Sequence, residues 1–190
     1  MPRMSEAEKR KSHNRILEKA AQIFRERGIE ATSVSDVMQA AGLTHGGFYR
    51  HFKSKDDLVA AAFKTAVDGV LATMENADSG DAQAAARRDY IDTYLSLCHV
   101  GSRGDGCPLA ALAGELNRGV LDARREGYDA LQRTSKQLTP GEDPAQGLAT
   151  LALMLGTVTL ARLAEEDADA QAILDAGRKG TELIQKDWRE

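Results

Sequence analysis

The side chains best suited to reading a base edge in this chain are Thr44 and His45, which sit directly before Gly46 and Gly47. Base edges in the major groove accept hydrogen bonds from hydroxyl and imidazole groups, and glycines let a backbone approach closely. Tyr49 and His51 point outward just after them, and Lys55 supplies an ammonium group for phosphate oxygens. Gly46 and Gly47 each cost roughly 1 kcal/mol in a helix interior relative to Ala. Either they let the protein backbone approach the DNA closely or they belong to an irregular turn before the helix.

A second chemical feature is the run Asp105-Gly106-Cys107-Pro108-Leu109. Proline suits the first position of a helix, so Cys107 becomes the cap over free N–H groups and the positive helix end, a placement that lowers a thiol pKa. Asp105 opposes that effect. Thiol sensing through Cys107 therefore stands beside the plainer reading of a small packing residue at a helix start. A cysteine-dependent enzyme has little support: His99 is the one histidine outside the segment just described and the N-terminus, and it lies eight residues before Cys107. Cys98, late on its helix, is expected to be a core thiol, with a Cys98–Cys107 switch as an alternative.

The elements that must position the first group follow from capping and spacing. Thr32 and Ser33 can cap a helix carrying Val34, Val37, Met38 and Ala41 on its inner face. Gly42 turns the chain and Leu43 plugs the angle. Thr44 caps a short second helix over about residues 45–51, whose Phe48 and Phe52 face inward at i, i+4. Ser54 and Asp57 then have capping-box spacing and open a helix with Lys55 at its start, where ammonium and free N–H groups together form a phosphate anchor.

Residues 10–58 resemble the DNA-binding domain of the TetR family of bacterial transcriptional regulators. The resemblance runs through Ile16, Ala20, Phe24, Gly28, Thr32, Val37, Ala41, Gly42 and the stretch from Phe48 to Leu58. It implies that Thr44, His45, Gly46 and Gly47 lie over the bases, that Thr32, Ser33 and Ser35 approach from the preceding helix, and that Tyr49, His51 and Lys55 hold phosphates. It also implies a homodimer on a palindromic double-stranded operator, with repression relieved by a small-molecule effector. The glycine pair departs from the family's usual lysine or proline followed by threonine or serine, which bears on the operator sequence.

Charge agrees with this. Residues 1–55 hold 11 Lys and Arg against 6 Asp and Glu, a net +5, whereas the remainder holds 14 against 23, a net −9. Arg3, Lys9, Arg10, Lys11, His13 and Arg15 extend the basic end. The 42% hydrophobic content is ample for a core, and the four prolines and alanine–leucine stretches without alternating β-branched runs predict an all-α fold. No signal peptide is legible, the most apolar window (148–164) falls short of the ~20 residues of a bilayer span, and no Cys/His spacing suits a metal. A cytoplasmic protein without cofactor or membrane partner is expected.

Nine helices are expected, with the N-terminal helix-turn-helix domain over residues 1–54 and a helical ligand-binding and dimerisation domain over 55–190. The first helix, 6–27, opens on a Ser5/Glu8 capping box and stops at Gly28. A fourth, 55–76, links head to body and is the expected transmission element. The fifth, 82–99, carries Ile91, Tyr94, Leu95 and Cys98 on one face. Helices over 108–117, 120–137, 144–165 and 169–186 complete the chain. The eighth has apolar or small residues at Leu148, Ala152, Leu155, Gly156, Thr159 and Leu163, and the ninth has a stripe at Ile173, Gly177, Gly180 and Ile184. Both are expected at a dimer interface, in agreement with the family's four-helix interface. Candidate effector-lining residues are Met74, Tyr90, Tyr94, Cys107, Leu112, Leu116, Tyr128 and Met154.

Overall fold

The computed structural model describes residues 5–119 and 121–188. Arg3 and Val120, both used above, lie outside the described residues. Within them the chain forms α1 (Glu6–Arg27), α2 (Val34–Ala40), a 3₁₀ helix (His45–Arg50), α3 (Lys55–Glu75), α4 (Gly80–Tyr94), α5 (Leu97–Gly101), α6 (Pro108–Leu116), α7 (Leu121–Leu138), α8 (Pro144–Ala161) and α9 (Asp167–Asp187). No strand occurs among the described residues.

Local signals explain the head. Ser5 and Glu8 form the expected reciprocal cap, Glu8 N donating to Ser5 Oγ at 3.2 Å and Ser5 N to Glu8 Oε2 at 2.8 Å. Gly28 ends α1 at φ +90°, its N–H on Phe24 O at 2.8 Å. Ile16, Ala20 and Phe24 of α1 close over Val37, Met38, Phe48, Phe52, Leu58 and Phe63, all nearly inaccessible. A core of that size holds the short α2 and the 3₁₀ turn, neither of which would persist alone.

α3 belongs to both halves. Leu58, Ala62 and Phe63 pack in the head, and Val67, Leu71 and Met74 continue the same face into the body. α7 lies along α3, and α8 packs between α7 and α9. Arg133 of α7 ties the pair, donating to Asp68 at 2.7 Å and to both oxygens of Glu75 at 2.8 and 2.9 Å.

The single helix expected over 82–99 is two. Leu95 leaves helical geometry at ψ 53°, and Ser96 restarts the chain by accepting His99 N at 3.2 Å on Oγ. The break rotates Cys98 into solvent, so it is no core thiol. α8 ends at Ala161 rather than 165, leaving Leu163 beyond it and 76% exposed. By length and composition α8 could cross a bilayer, so length does not exclude a span; Thr150, Leu151, Met154, Thr157, Val158 and Ala161, however, are buried within the chain.

Candidate nucleic-acid interface

The turn between α2 and the 3₁₀ helix is a complete Schellman motif. Gly42, at φ +67°, donates to Gln39 O, and Leu43 donates to Met38 O, both at 2.9 Å. A side chain at Gly42 would find space but a strained backbone, so conformation alone calls for glycine. Leu43 is half-buried against the head core. α2 opens on Ser33, whose hydroxyl accepts Asp36 N at 3.1 Å and donates to Asp36 Oδ2 at 2.6 Å.

The second helix of the pair is 3₁₀ rather than α. Two glycines at its start remove the side-chain packing that favours an α-turn, and Gly47 N bonds Thr44 O at 3.0 Å in the tighter pattern. Phe48 and Phe52 do face inward, their rings 5.7 Å apart. Thr44, His45 and Gly46 are left exposed at the tip, Thr44 without a side-chain capping bond, and nothing lies within 4 Å of a side chain placed at Gly46. Tyr49 is 73% exposed beside them.

Thr32 does not belong to this surface. It is buried, and its hydroxyl donates to Gly28 O at 2.7 Å, so the side chain closes the α1–α2 turn instead of reaching for DNA. Ser33 and Ser35 are exposed. Lys55 stands half-buried at the start of α3, which Ser54 caps by accepting Asp57 N at 3.1 Å; Asp57 reaches back to Lys53 N at 2.9 Å rather than to Ser54.

His51 is half-buried against α1. His13 stacks on Phe52 at 4.7 Å and lies 5.8 Å from the His51 ring, whose Nδ1 has no partner among the described residues. Burial first, then the charges of His13, Lys9 and Arg50, push the His51 imidazole below its ordinary pKa. Glu6, Lys9, Arg10, His13, Arg50 and His51 line one shallow cavity of about 320 Å³. Arg50 was not among the candidate residues; its place in the basic run after the glycine pair was the available signal.

An exposed hydroxyl–imidazole–glycine tip, seated by two inward phenylalanines and flanked by cations, is the form in which a helix-turn-helix offers its second helix to a groove. The sequence profile for "Bacterial regulatory proteins, tetR family" matches residues 16–62, the whole of this unit. Residues 16–62 thus carry the DNA-binding unit of TetR-family transcriptional regulators. The chain is 27% identical over 165 residues to the uncharacterized HTH-type transcriptional regulator YfiR of Bacillus subtilis, covering 80% of this chain and 78% of that one. To the HTH-type transcriptional repressor KstR2 of Mycobacterium tuberculosis it is 40% identical over 57 residues, 30% of this chain and 28% of that protein. A TetR transcriptional regulator from Chloroflexus aurantiacus has the same fold, with a TM-score of 0.72, 24% identity and coverage of 93% and 96%.

The body holds the other candidates. Cys107 caps α6 with Pro108 at the first position, as expected, but it makes no capping bond and is buried. Burial raises its thiol pKa, outweighing the N–H groups of Ala110 and Leu109 and the phenols of Tyr94 and Tyr90. Of the two readings of Cys107, its burial favours the packing residue over an activated thiolate, because desolvation of the anion opposes what the helix start returns. The Tyr90 and Tyr94 hydroxyls are buried beside that thiol without a partner of hydrogen-bond geometry. A void of about 10 Å³ lies there among Val67, Val70, Leu71, Tyr90, Cys107, Pro108, Leu109 and Thr134, room for one water molecule at most.

His99 fastens the loop that leads to Cys107. Its Nδ1 lies 2.7 Å from Tyr94 O and its Nε2 accepts Cys107 N at 3.0 Å, which assigns the proton to Nδ1. Burial, ahead of other causes, lowers its pKa. Both ring nitrogens are engaged by backbone, so His99 is no base for the Cys107 sulfur. Met74, Leu112, Leu116 and Met154 are core residues, at most 3% exposed. Tyr128 of α7 is 63% exposed.

Two ties join body to head: Arg25 Nε donates to Gly104 O at 2.6 Å, and Glu115 Oε2 accepts Ile29 N at 2.8 Å and Glu30 N at 3.1 Å. Neither tie was legible in the sequence. On the far side, Leu148, Ala152, Gly156, Thr159 and Leu163 are exposed and Leu155 half-buried, together with an unforeseen Leu160, 56% exposed. The α9 stripe is used differently. A side chain at Gly177 would collide with Thr157 and one at Gly180 would crowd Leu153, so these glycines let α9 approach α8 within the chain. Ile173 packs on the core and Ile184 O accepts Gln146 Nε2 at 2.8 Å. The exposed small and apolar residues of α9 are Ala168, Ala172, Ala176 and Leu183.

Proposed function

We propose that this regulator is a cytoplasmic repressor that binds a palindromic operator as a homodimer and is released by a small-molecule effector. The observation that carries the operator reading is the exposed tip at Thr44, His45 and Gly46, backed by half-buried Gly47, with Tyr49, Arg50, His51 and Lys55 around it for phosphates and Ser33 and Ser35 at the start of the preceding helix. Residues 1–54 form the reading domain and 55–190 the effector and dimerisation domain in this account. The exposed apolar face of α8, with Ala172, Ala176 and Leu183 of α9, is the surface a second copy would cover. Twofold pairing would set two tips about one helical turn of DNA apart, or a multiple of it.

For the effector, the buried and unpartnered Tyr90 and Tyr94 hydroxyls favour a non-covalent ligand that opens the space beside Cys107. Its signal would travel along the loop and helix that bear Cys107, through Gly104 and Glu115, to the head, in parallel with α3. Repression is supported by the name of KstR2, to which 57 residues of this chain are 40% identical. Thiol sensing is disfavoured by the burial of Cys107, and an enzymatic role by the engagement of His99.

The test is titration of DNA from upstream of the protein's own gene at several salt concentrations, with the twofold-symmetric site and a single half-site compared. Tight, salt-dependent and palindrome-selective binding is expected. Equal binding to scrambled DNA would refute operator recognition, and equal affinity for the half-site would refute the dimer.

A further inference from the structure

We propose that the groove between α4 and α9 is a second small-molecule site, built for an amphipathic carboxylate and separate from the Tyr90–Tyr94–Cys107 cluster. It goes beyond the operator and effector reading above. The groove encloses about 370 Å³, within the range of about 300–1,000 Å³ of ligand clefts. On its wall lies Thr181, 1% exposed, whose Oγ1 has no hydrogen-bond partner among the described residues. A buried hydroxyl in that state is unusual, and a ligand oxygen would satisfy it.

The charges point to an anion. Four cations and two carboxylates line the groove. Asp92 is held by Arg178 at 2.6 Å, and Glu182 lies 4.0 Å from Lys186. Arg87 and Arg88 of α4 are left without a carboxylate among the described residues. Arg87 is half-buried, with one long bond to Thr139 O at 3.5 Å, and burial followed by the neighbouring Arg88 charge depresses its pKa. An anion between them relieves both penalties, and a guanidinium matches a carboxylate in two parallel bonds. The flanking Asp92 and Glu182 disfavour a second negative charge, while Ile91 and Pro140 give the groove an apolar side for a hydrocarbon body. The exposed Ala172, Ala176 and Leu183 lie on a different side of α9, so the proposed dimer leaves the groove open.

The experiment titrates the full chain calorimetrically with 3-phenylpropionate and with its neutral isostere 3-phenylpropionamide, for the parent, Arg87→Gln and Thr181→Val. Operator binding is measured on the same samples, so loss of the regulator reading is seen independently. The acid is expected to bind at least about tenfold more tightly than the amide, and Arg87→Gln to lose about tenfold in affinity. Thr181→Val should weaken binding severalfold with unchanged or raised Tm, since it removes an unpartnered hydroxyl. Equal affinity for acid and amide, full affinity in Arg87→Gln, or no saturable binding of the acid would overturn the site. A lowered Tm with intact binding in Thr181→Val would reduce that hydroxyl to packing and overturn its part in recognition.

Discussion

Glu115 is the side chain through which the body holds the reading head, and its removal has a calculable cost. Its carboxylate accepts two backbone N–H groups of the α1–α2 turn, at 2.8 and 3.1 Å. Hydrogen bonds to a charged group are worth about 1.5–3 kcal/mol each, but the Glu30 bond is solvent-exposed and contributes the lesser share. Glu115→Ala should therefore cost about 2 kcal/mol, which for a chain of this size lowers Tm by roughly 4–8 °C. Glu115→Gln, which keeps an acceptor without the charge, should fall between. The local signature is amide exchange: Ile29 and Glu30 should lose protection by roughly 30-fold if the turn opens on its own, because about 2 kcal/mol corresponds to that ratio. Thermal unfolding and residue-resolved hydrogen exchange on the two variants measure both effects. Unchanged Tm together with unchanged protection at Ile29 and Glu30 would refute the tie. Gly28 belongs to the same contact, since a Cβ there would lie 2.9 Å from Glu115 Oε1 on a backbone at φ +90°.

The remaining expectations concern thiols, protons and DNA. With a thiol-reactive dye at neutral pH, exposed Cys98 should react fast and buried Cys107 slowly, and Cys98→Ser should abolish the fast phase. His51 and His99 both have pKa values lowered by burial, so the unfolded chain binds more protons than the folded one below about pH 6.5. Stability should hold above that pH and fall as it drops from 7 toward 5, measured as Tm, and NMR titration should place both rings below their ordinary value. His45→Ala should weaken operator binding by about tenfold or more with an unchanged salt slope, whereas Lys55→Ala should reduce that slope by about one. Binding isotherms at four salt concentrations separate the two.

The head was legible from sequence because its determinants are local. The Ser5/Glu8 capping box, the Ser33 cap, the positive-φ Gly42 and the inward Phe48 and Phe52 act over four residues or fewer, where residue type and spacing decide the hydrogen bond or the buried face. Even there Thr32 misled, since a hydroxyl that can face DNA can equally close a turn, and only the path of Gly28 decides. The composition likewise determined the all-helical class and the basic head on an acidic body.

What the tertiary structure decided is long-range. The break at Leu95 goes with His99 folding back on Tyr94 O, and the thiol of Cys107 is buried by helices distant in sequence, which pushes its pKa up. Gly177 and Gly180 spell a close helix contact, but the partner, α8 of the same chain rather than another copy, is chosen by which faces remain once α7 has taken its side. Glu115 and Arg25 gave no sign of reaching across 79 to 86 residues to join body and head. Periodicity states how much apolar or small surface a helix carries; the packing of the whole chain assigns it a partner, because burial is a property of neighbours and not of residues.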